Sequence, residues 1–313
     1  MSSLTPTVTT AVRGPGSKPP RPRRRVGRSF VRAIPLVPSM VLLAIFLLGP
    51  VITSFYGSFT DESLTGSAAK GASFIGLDNY FALFQNPDFL QSIWLTIVFL
   101  IGSAIIGQNV LGLALAILMQ NGNKTLRGLV GTFVVTAWIM PEIVAAFALY
   151  AFFNVDGTLN AMLHAIGITG PNWLYSLPMF SVIIANVWRG TAFSMLVYSA
   201  AMGDVPDDVR ESAEIDGAGG AKRLIYITLP MIRRSISTNL MLTTLQTLSV
   251  FTLIYVMTGG GPGTKSSTLP VLAYQEAFKF SQLGLGTAIA TILLIVGAVF
   301  SIVYIRALKP EVD

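Results

Sequence analysis

The sequence predicts an all-α integral membrane protein with six transmembrane helices and one short charged helix between helices 4 and 5. Three observations carry that reading. Only 12% of the 313 residues are charged and 52% are hydrophobic, against about 25% charged in soluble domains. Uncharged stretches recur along the chain, each able to supply the ~20 residues that a spanning helix needs. When alternate loops are assigned to opposite faces, seventeen Lys and Arg residues fall on one side and three on the other. The richer side is cytoplasmic by the positive-inside bias, which places both termini and the loop at 204–230 there.

Taken in order, residues 1–33 are expected to be a disordered cytoplasmic tail. Met1 to Pro20 is rich in Ser, Thr, Pro and Gly and lacks the apolar residues to fold. Arg21 to Arg32 follow as a basic stretch suited to anionic lipid. The apolar run after them is too long for a cleavable signal and has no small-x-small site beyond it. A transmembrane domain is expected at 34–308, with a short cytoplasmic tail at 309–313.

Span 1 runs from about Leu36 to Phe55 and carries Pro38 and Pro50, which a membrane helix tolerates when neighbours cover the freed backbone. An outer segment from Thr60 to Asp88 follows. Span 2 lies within Phe89 to Met119, where Gly102, Gly107 and Gly112 favour close helix packing. Span 3 is expected as one helix from about Leu129 to Phe153, with Pro141 and Glu142 at its middle. An ionisable residue at that depth points to a cavity or a partner.

Span 4, from about Met179 to Met202, holds Arg189 near its centre beside Asn186, Trp188 and Gly190. Spans 3 and 4 run in opposite directions, so Glu142 and Arg189 reach similar depths. A buried ion pair and a solute site both explain them. Span 5, about Ile236 to Met257, presents the polar stripe Thr243, Gln246, Thr247 and Ser249. An amphipathic segment from Ser267 to Phe280 then leads into span 6, Leu283 to Ile305.

The charged stretch Asp204 to Pro230 stands apart. Pro206 can open a helix, Asp207 and Asp208 suit its positive end, and Gly217 stands where a left-handed residue closes one. Val209 and Ala213 share one side of that helix with Ser212 beside them, and small residues there let a partner surface approach.

The zero cysteines remove disulfides, iron-sulfur clusters and thiol catalysis, and a lone His164 leaves no histidine-based metal site. The net charge of +6 follows topology, so no nucleic-acid partner is expected. The run GGGPGTKS is not a phosphate loop, because Thr264 separates Gly263 from Lys265 and a helix precedes it. With no nucleophile-and-base set, the chain is not expected to be a catalyst. An ion-coupled secondary transporter is the alternative class; it would call for more buried carboxylates and an internal repeat with broken helices, and the sequence offers one carboxylate and no obvious repeat.

Three signatures resemble those of the MalF/UgpA-like carbohydrate permeases of binding-protein-dependent ABC importers. Glu211, Ser212 and Ala213 match the E-A-A positions of the EAA loop, with Asp216 and Gly217 after them and Ile227, Leu229 and Pro230 closing the pattern. Phe74 to Tyr80 resembles FxGLxNY, and Thr258 to Pro262 resembles TxGGP. Ser212 replaces the usual first Ala, and Thr252 departs from the acid often found after Phe251.

The resemblance implies that the short helix is a coupling helix docking on a cytoplasmic ATPase, through Glu211, Ser212, Ala213, Asp216 and Gly217. It implies a second, MalG-like permease subunit, two ATPase subunits that bind the ATP and Mg, an extracytoplasmic solute-binding protein, and no cofactor in this chain. The solute would be a sugar, oligosaccharide or glycerophosphate-type polyol. Trp138, Glu142, Asn186, Gly190, Thr243 and Thr247 resemble the sugar-contacting positions of the maltose-type permease, and Arg189 joins them as a residue of the expected path. Trp138 and Glu142, Asn186 and Gly190, and Thr243 and Thr247 are each four apart, so each pair is expected on one helix face.

Overall fold

A computed structural model describes residues 36–308 of the protein. The tails expected at 1–33 and 309–313 lie outside the described residues. The chain divides into two compact units at Pro50. The described part of the first, residues 36–50, is helical, with Pro38 in the opening turn, where a missing N–H is no loss. The second unit carries everything that follows. Among the described residues there is no β-strand, and Thr60 and Phe74 form an isolated bridge.

By length and composition, five described helices suffice to cross a membrane: α1 (Val37–Gly57), α2 (Pro87–Gln120), a third at Glu142–Ala165, then Pro178–Gly203 and Leu283–Arg306. A bent pair makes six. The expected single span at Leu129–Phe153 is corrected: it is two helices, α3 (Lys124–Ile139) and α4 (Glu142–Phe153). Met140, with ψ 132, is held extended by the proline after it, and Pro141 has no N–H to continue the ladder. Trp138 and Glu142 therefore do not share a helix face. Pro178–Gly203 is an unbroken helix, α5.

Asp207–Ile215 forms the charged helix α6, as expected. The fifth span is also broken, into α7 (Arg233–Leu248) and α8 (Thr252–Thr258), inclined at 49°. At that break Ser249 Oγ donates to the Gln246 carbonyl at 2.9 Å, so a side chain occupies a carbonyl of the last turn. Leu283–Leu308 closes the fold as α9 and packs on Leu269–Tyr274 and on α7.

The glycines of α2 seat it against α5. A Cβ at Gly107 would lie 2.2 Å from Val187, and one at Gly112 2.4 Å from Ser194. A Cβ at Gly102, five residues before Gly107, would lie 3.1 Å from Ile183 of the same helix α5, and the two glycines stay on one side because Leu100–Gln108 is π-helical, with bonds from i to i+5.

Along α2, α5 and the α7–α8 pair the buried side chains run apolar, polar, apolar. Phe99, Val182, Val250 and Leu253 belong to one apolar cluster, and Ala116, Tyr198, Met202 and Ile232 to another near the 204–230 loop. Between them lie Ser103, Gln108, Asn109, Asn186, Ser194, Asn239, Thr243 and Thr247, all buried. Buried polar groups need hydrogen-bond partners, and in this layer they find many of them across helices, though Asn239 Oδ1 has none. Asn239 Nδ2 donates to Asn109 Oδ1 at 2.8 Å, Ser194 Oγ at 2.9 Å and Tyr198 Oη at 3.1 Å, joining α7, α2 and α5.

The FxGLxNY segment has a structural task at the first span's end. Asn79 Nδ2 donates to the carbonyls of Ser58 and Thr60, and Tyr80 Oη bonds Ser58 Oγ.

Candidate functional site

A cavity of about 270 Å³ opens at the polar layer where both breaks meet α5. α2 contributes Gln108 and α3 Trp138; α4 contributes Glu142, α5 Asn186, Arg189 and Gly190, and the fifth span Gln246, Thr247, Ser249 and Val250. Backbone outside a regular helix is tolerated at membrane depth where it lines a cavity; the second break does so at Ser249 and Val250, and the first is flanked by the lining residues Trp138 and Glu142.

Each polar wall has a local cause. Asn186 Nδ2 donates to Ser103 Oγ at 2.9 Å and to Thr247 Oγ1 at 3.4 Å, holding α5 to α2 and α7. Gln108 Nε2 donates to the Asn186 carbonyl at 3.1 Å, crossing Gly190, where a Cβ would sit 2.3 Å from the Gln108 side chain. The glycine is thus required for that amide to reach the wall. The ring of Trp138 lies 6.1 Å from that of Phe193 and remains 42% exposed, open to the cavity.

Glu142 and Arg189 approach to 4.0 Å, the outer limit of an ion pair, and both side chains stay partly exposed. Glu142 has a second bond: its Oε1 accepts from the Leu253 backbone N–H at 3.2 Å, capping the free amides at the start of α8. One carboxylate therefore touches both breaks. Arg189 Nε is buried without a hydrogen-bond partner. The ion pair and the cavity wall are one place in the fold.

Six of the seven expected path residues line this cavity: Trp138, Glu142, Asn186, Arg189, Gly190 and Thr247. Thr243 does not. It is buried one turn away, donating to the Asn239 carbonyl at 2.9 Å and accepting from Asn109 Nδ2 at 3.4 Å. Sequence reasoning missed Gln108 and the Asn109–Asn239–Tyr198 network. The signal available was the amide pair Gln108-Asn109 inside an otherwise apolar span.

At the other end, α6 closes through a Schellman motif. The Ala218 N–H reaches the Ala213 carbonyl at 2.9 Å and the Gly217 N–H the Glu214 carbonyl at 3.0 Å, with Gly217 at φ +79. Ala213 is buried against the body, and Glu211, Ser212, Asp216 and Gly217 are exposed. Ile215, which sequence reasoning passed over, is 86% exposed.

Comparison with known proteins follows the same lines. The profile of the family described as "Binding-protein-dependent transport system inner membrane component" matches residues 108–313. The sulfoquinovosyl glycerol transport system permease protein SmoG of Agrobacterium fabrum is 30% identical, over 91% of this chain and 92% of its own length. The trehalose/maltose transport system permease protein MalF of Thermococcus litoralis is 31% identical, over 87% of this chain and 91% of its own. A chain of the bacterial alginate ABC transporter, solved in complex with an alginate pentasaccharide-bound periplasmic protein, superposes with a TM-score of 0.77 over 91% of this chain and 97% of that one. At 23% identity it speaks for the fold.

Proposed function

The chain belongs to the family of binding-protein-dependent transport system inner membrane components, and from that membership as a multi-pass importer permease we propose what it carries and with whom. The cargo is a sugar, oligosaccharide or glycerophosphate-type polyol, passing through the cavity between the two helix breaks. One observation carries this: a ring (Trp138), amides (Gln108, Gln246) and a hydroxyl (Ser249) converge on one mid-membrane space, a set that stacks on and hydrogen-bonds to a polyhydroxy solute. The relatives named for sulfoquinovosyl glycerol and for trehalose and maltose support the same class.

An extracytoplasmic solute-binding protein delivers the cargo, and a MalG-like subunit supplies the facing half of the path. Two ATPase subunits hold the ATP and Mg, so this chain needs no cofactor. Both termini and the 204–230 loop are cytoplasmic. α6 enters the ATPase with Glu211 and Ile215 outward, and nucleotide-driven closure moves it as a rigid piece. That motion does work only if the cargo binds the two states of the cavity differently.

The test is uptake by the assembled transporter in liposomes with its binding protein and internal ATP. Trp138→Ala and Gln246→Ala should raise the solute concentration needed for half-maximal uptake and leave subunit assembly unchanged. An unaltered concentration dependence in both variants overturns the cavity assignment. Uptake that continues without ATP under an ion gradient overturns the importer mechanism.

A further inference from the structure

A second cavity lies beneath the coupling segment, between the ends of α2 and α5 and the residues that follow α6. Its volume is about 500 Å³. Its charged lining is wholly cationic: Arg210 and Arg223 face it, and no Asp or Glu does. Each arginine has a carboxylate partner outside the cavity, Asp207 for Arg210 and Glu214 for Arg223, the latter pair at 2.7 Å. Those carboxylates are 81% and 70% exposed, whereas the arginines are 34% and 31% exposed. The acids thus sit at the solvent rim, where ion pairs are weak. Arg210 Nε is buried and has no hydrogen-bond partner, so its guanidinium retains donor capacity.

We propose that this cavity is a separate ligand site that takes a phosphate group, bridged between Arg210 and Arg223. A guanidinium fork matches phosphate oxygens two at a time, and two forks in one cavity favour a dianion or a diester over a neutral ligand. The remaining wall supplies the other half of the recognition. Ile117, Met202, Leu224 and Ile227 are apolar and adjoin the arginines, so a phosphate carrying an apolar chain fits as well as a free one. The two sources are a phospholipid headgroup and a soluble phosphate. The site joins span ends to both sides of the coupling helix, so an occupant ties α6 to the membrane body. It is distinct from the cargo cavity and does not depend on what that cavity carries.

The experiment uses the full transporter, purified and stripped of lipid. One arm measures thermal stability against inorganic phosphate; the other measures retention of phosphatidylglycerol by native mass spectrometry after transfer from vesicles of that lipid. Arg210→Gln and Arg223→Gln should each weaken whichever probe binds by about tenfold, as loss of a charged hydrogen bond does. Ala221→Leu controls for a loop that has lost its ion pairs, since it adds bulk to the cavity wall and leaves both pairs in place; it should weaken binding to a similar degree. Phosphate binding without lipid retention identifies a soluble ligand, and lipid retention alone identifies the bilayer. Binding of neither probe, or binding that all three variants leave unchanged, overturns the site.

Discussion

The polar layer and the coupling segment are built on opposite terms. In the layer, every bond that matters spans a long stretch of chain: Asn186 to Ser103 across 83 residues, Asn239 to Asn109 across 130, Leu253 to Glu142 across 111. In the coupling segment the ties are short, from Arg210 to Asp207 three residues away and from Arg223 to Glu214 nine away. A region closed by local bonds keeps its shape when it shifts as a body. A region closed by distant bonds resists any relative motion of the spans it joins. The first can move without being remade, and the second fixes the spans it joins to one another.

Substitutions can break that contrast. The largest stability effect is expected from Asn239→Leu, which removes three interhelical bonds at about 0.6 kcal/mol each, or about 2 kcal/mol in all. Thermal unfolding of the purified complex reads it, and an unchanged midpoint would show the layer to be slack. Gly217→Val is next: a β-branched residue at φ +79 costs roughly 1–2 kcal/mol, confined to the loop. Transport should fall with the global unfolding midpoint close to wild type, and Gly217→Ala should be milder. A global loss of stability would mean that the loop is not autonomous.

Glu211→Ala should leave stability unaltered and separate ATP hydrolysis from uptake, measured together in liposomes; normal coupling in that variant would remove Glu211 from the ATPase contact. The smallest effect concerns Glu276, outside the spans and buried, whose carboxyl is pushed up by desolvation and then by the nearby Asp88 charge. The folded state then binds that proton more tightly than the unfolded one. Its contribution is complete below the ordinary carboxylate range and is lost as pH rises through the raised value. Glu276→Gln should flatten that slope in unfolding curves recorded from acid to neutral pH; an unchanged slope would assign it to other groups.

The same contrast explains what could be read beforehand. α6, its proline start and its glycine stop are local chemistry, so the sequence displays them in order. Six of the cavity-lining residues could be named beforehand, Glu142, Asn186 and Arg189 because such groups are costly in lipid and Trp138, Gly190 and Thr247 only through the family resemblance, but the reason they converge was hidden. Pro141 marked a place of strain without saying that the helix stops there, since membrane helices also accommodate proline by bending. Nothing at Ser249 to Phe251 announces a break; it follows from Ser249 turning onto its own helix and Glu142 arriving from far away. Thr243 and Thr247 look equivalent in sequence, and only the packing of Asn109 and Asn239 separates glue from wall.

The bond from Glu142 to the Leu253 amide also sets a timetable. With 111 residues between the partners and synthesis at roughly 5–20 residues per second, the carboxylate waits roughly 6–20 s for the amide it caps. Through that interval the fourth helix enters the bilayer with its charge uncapped, and Arg189, made 47 residues after it, is the earlier cation on hand. In chain order, Arg189 is thus available to Glu142 before the Leu253 amide that completes the joint between the two breaks.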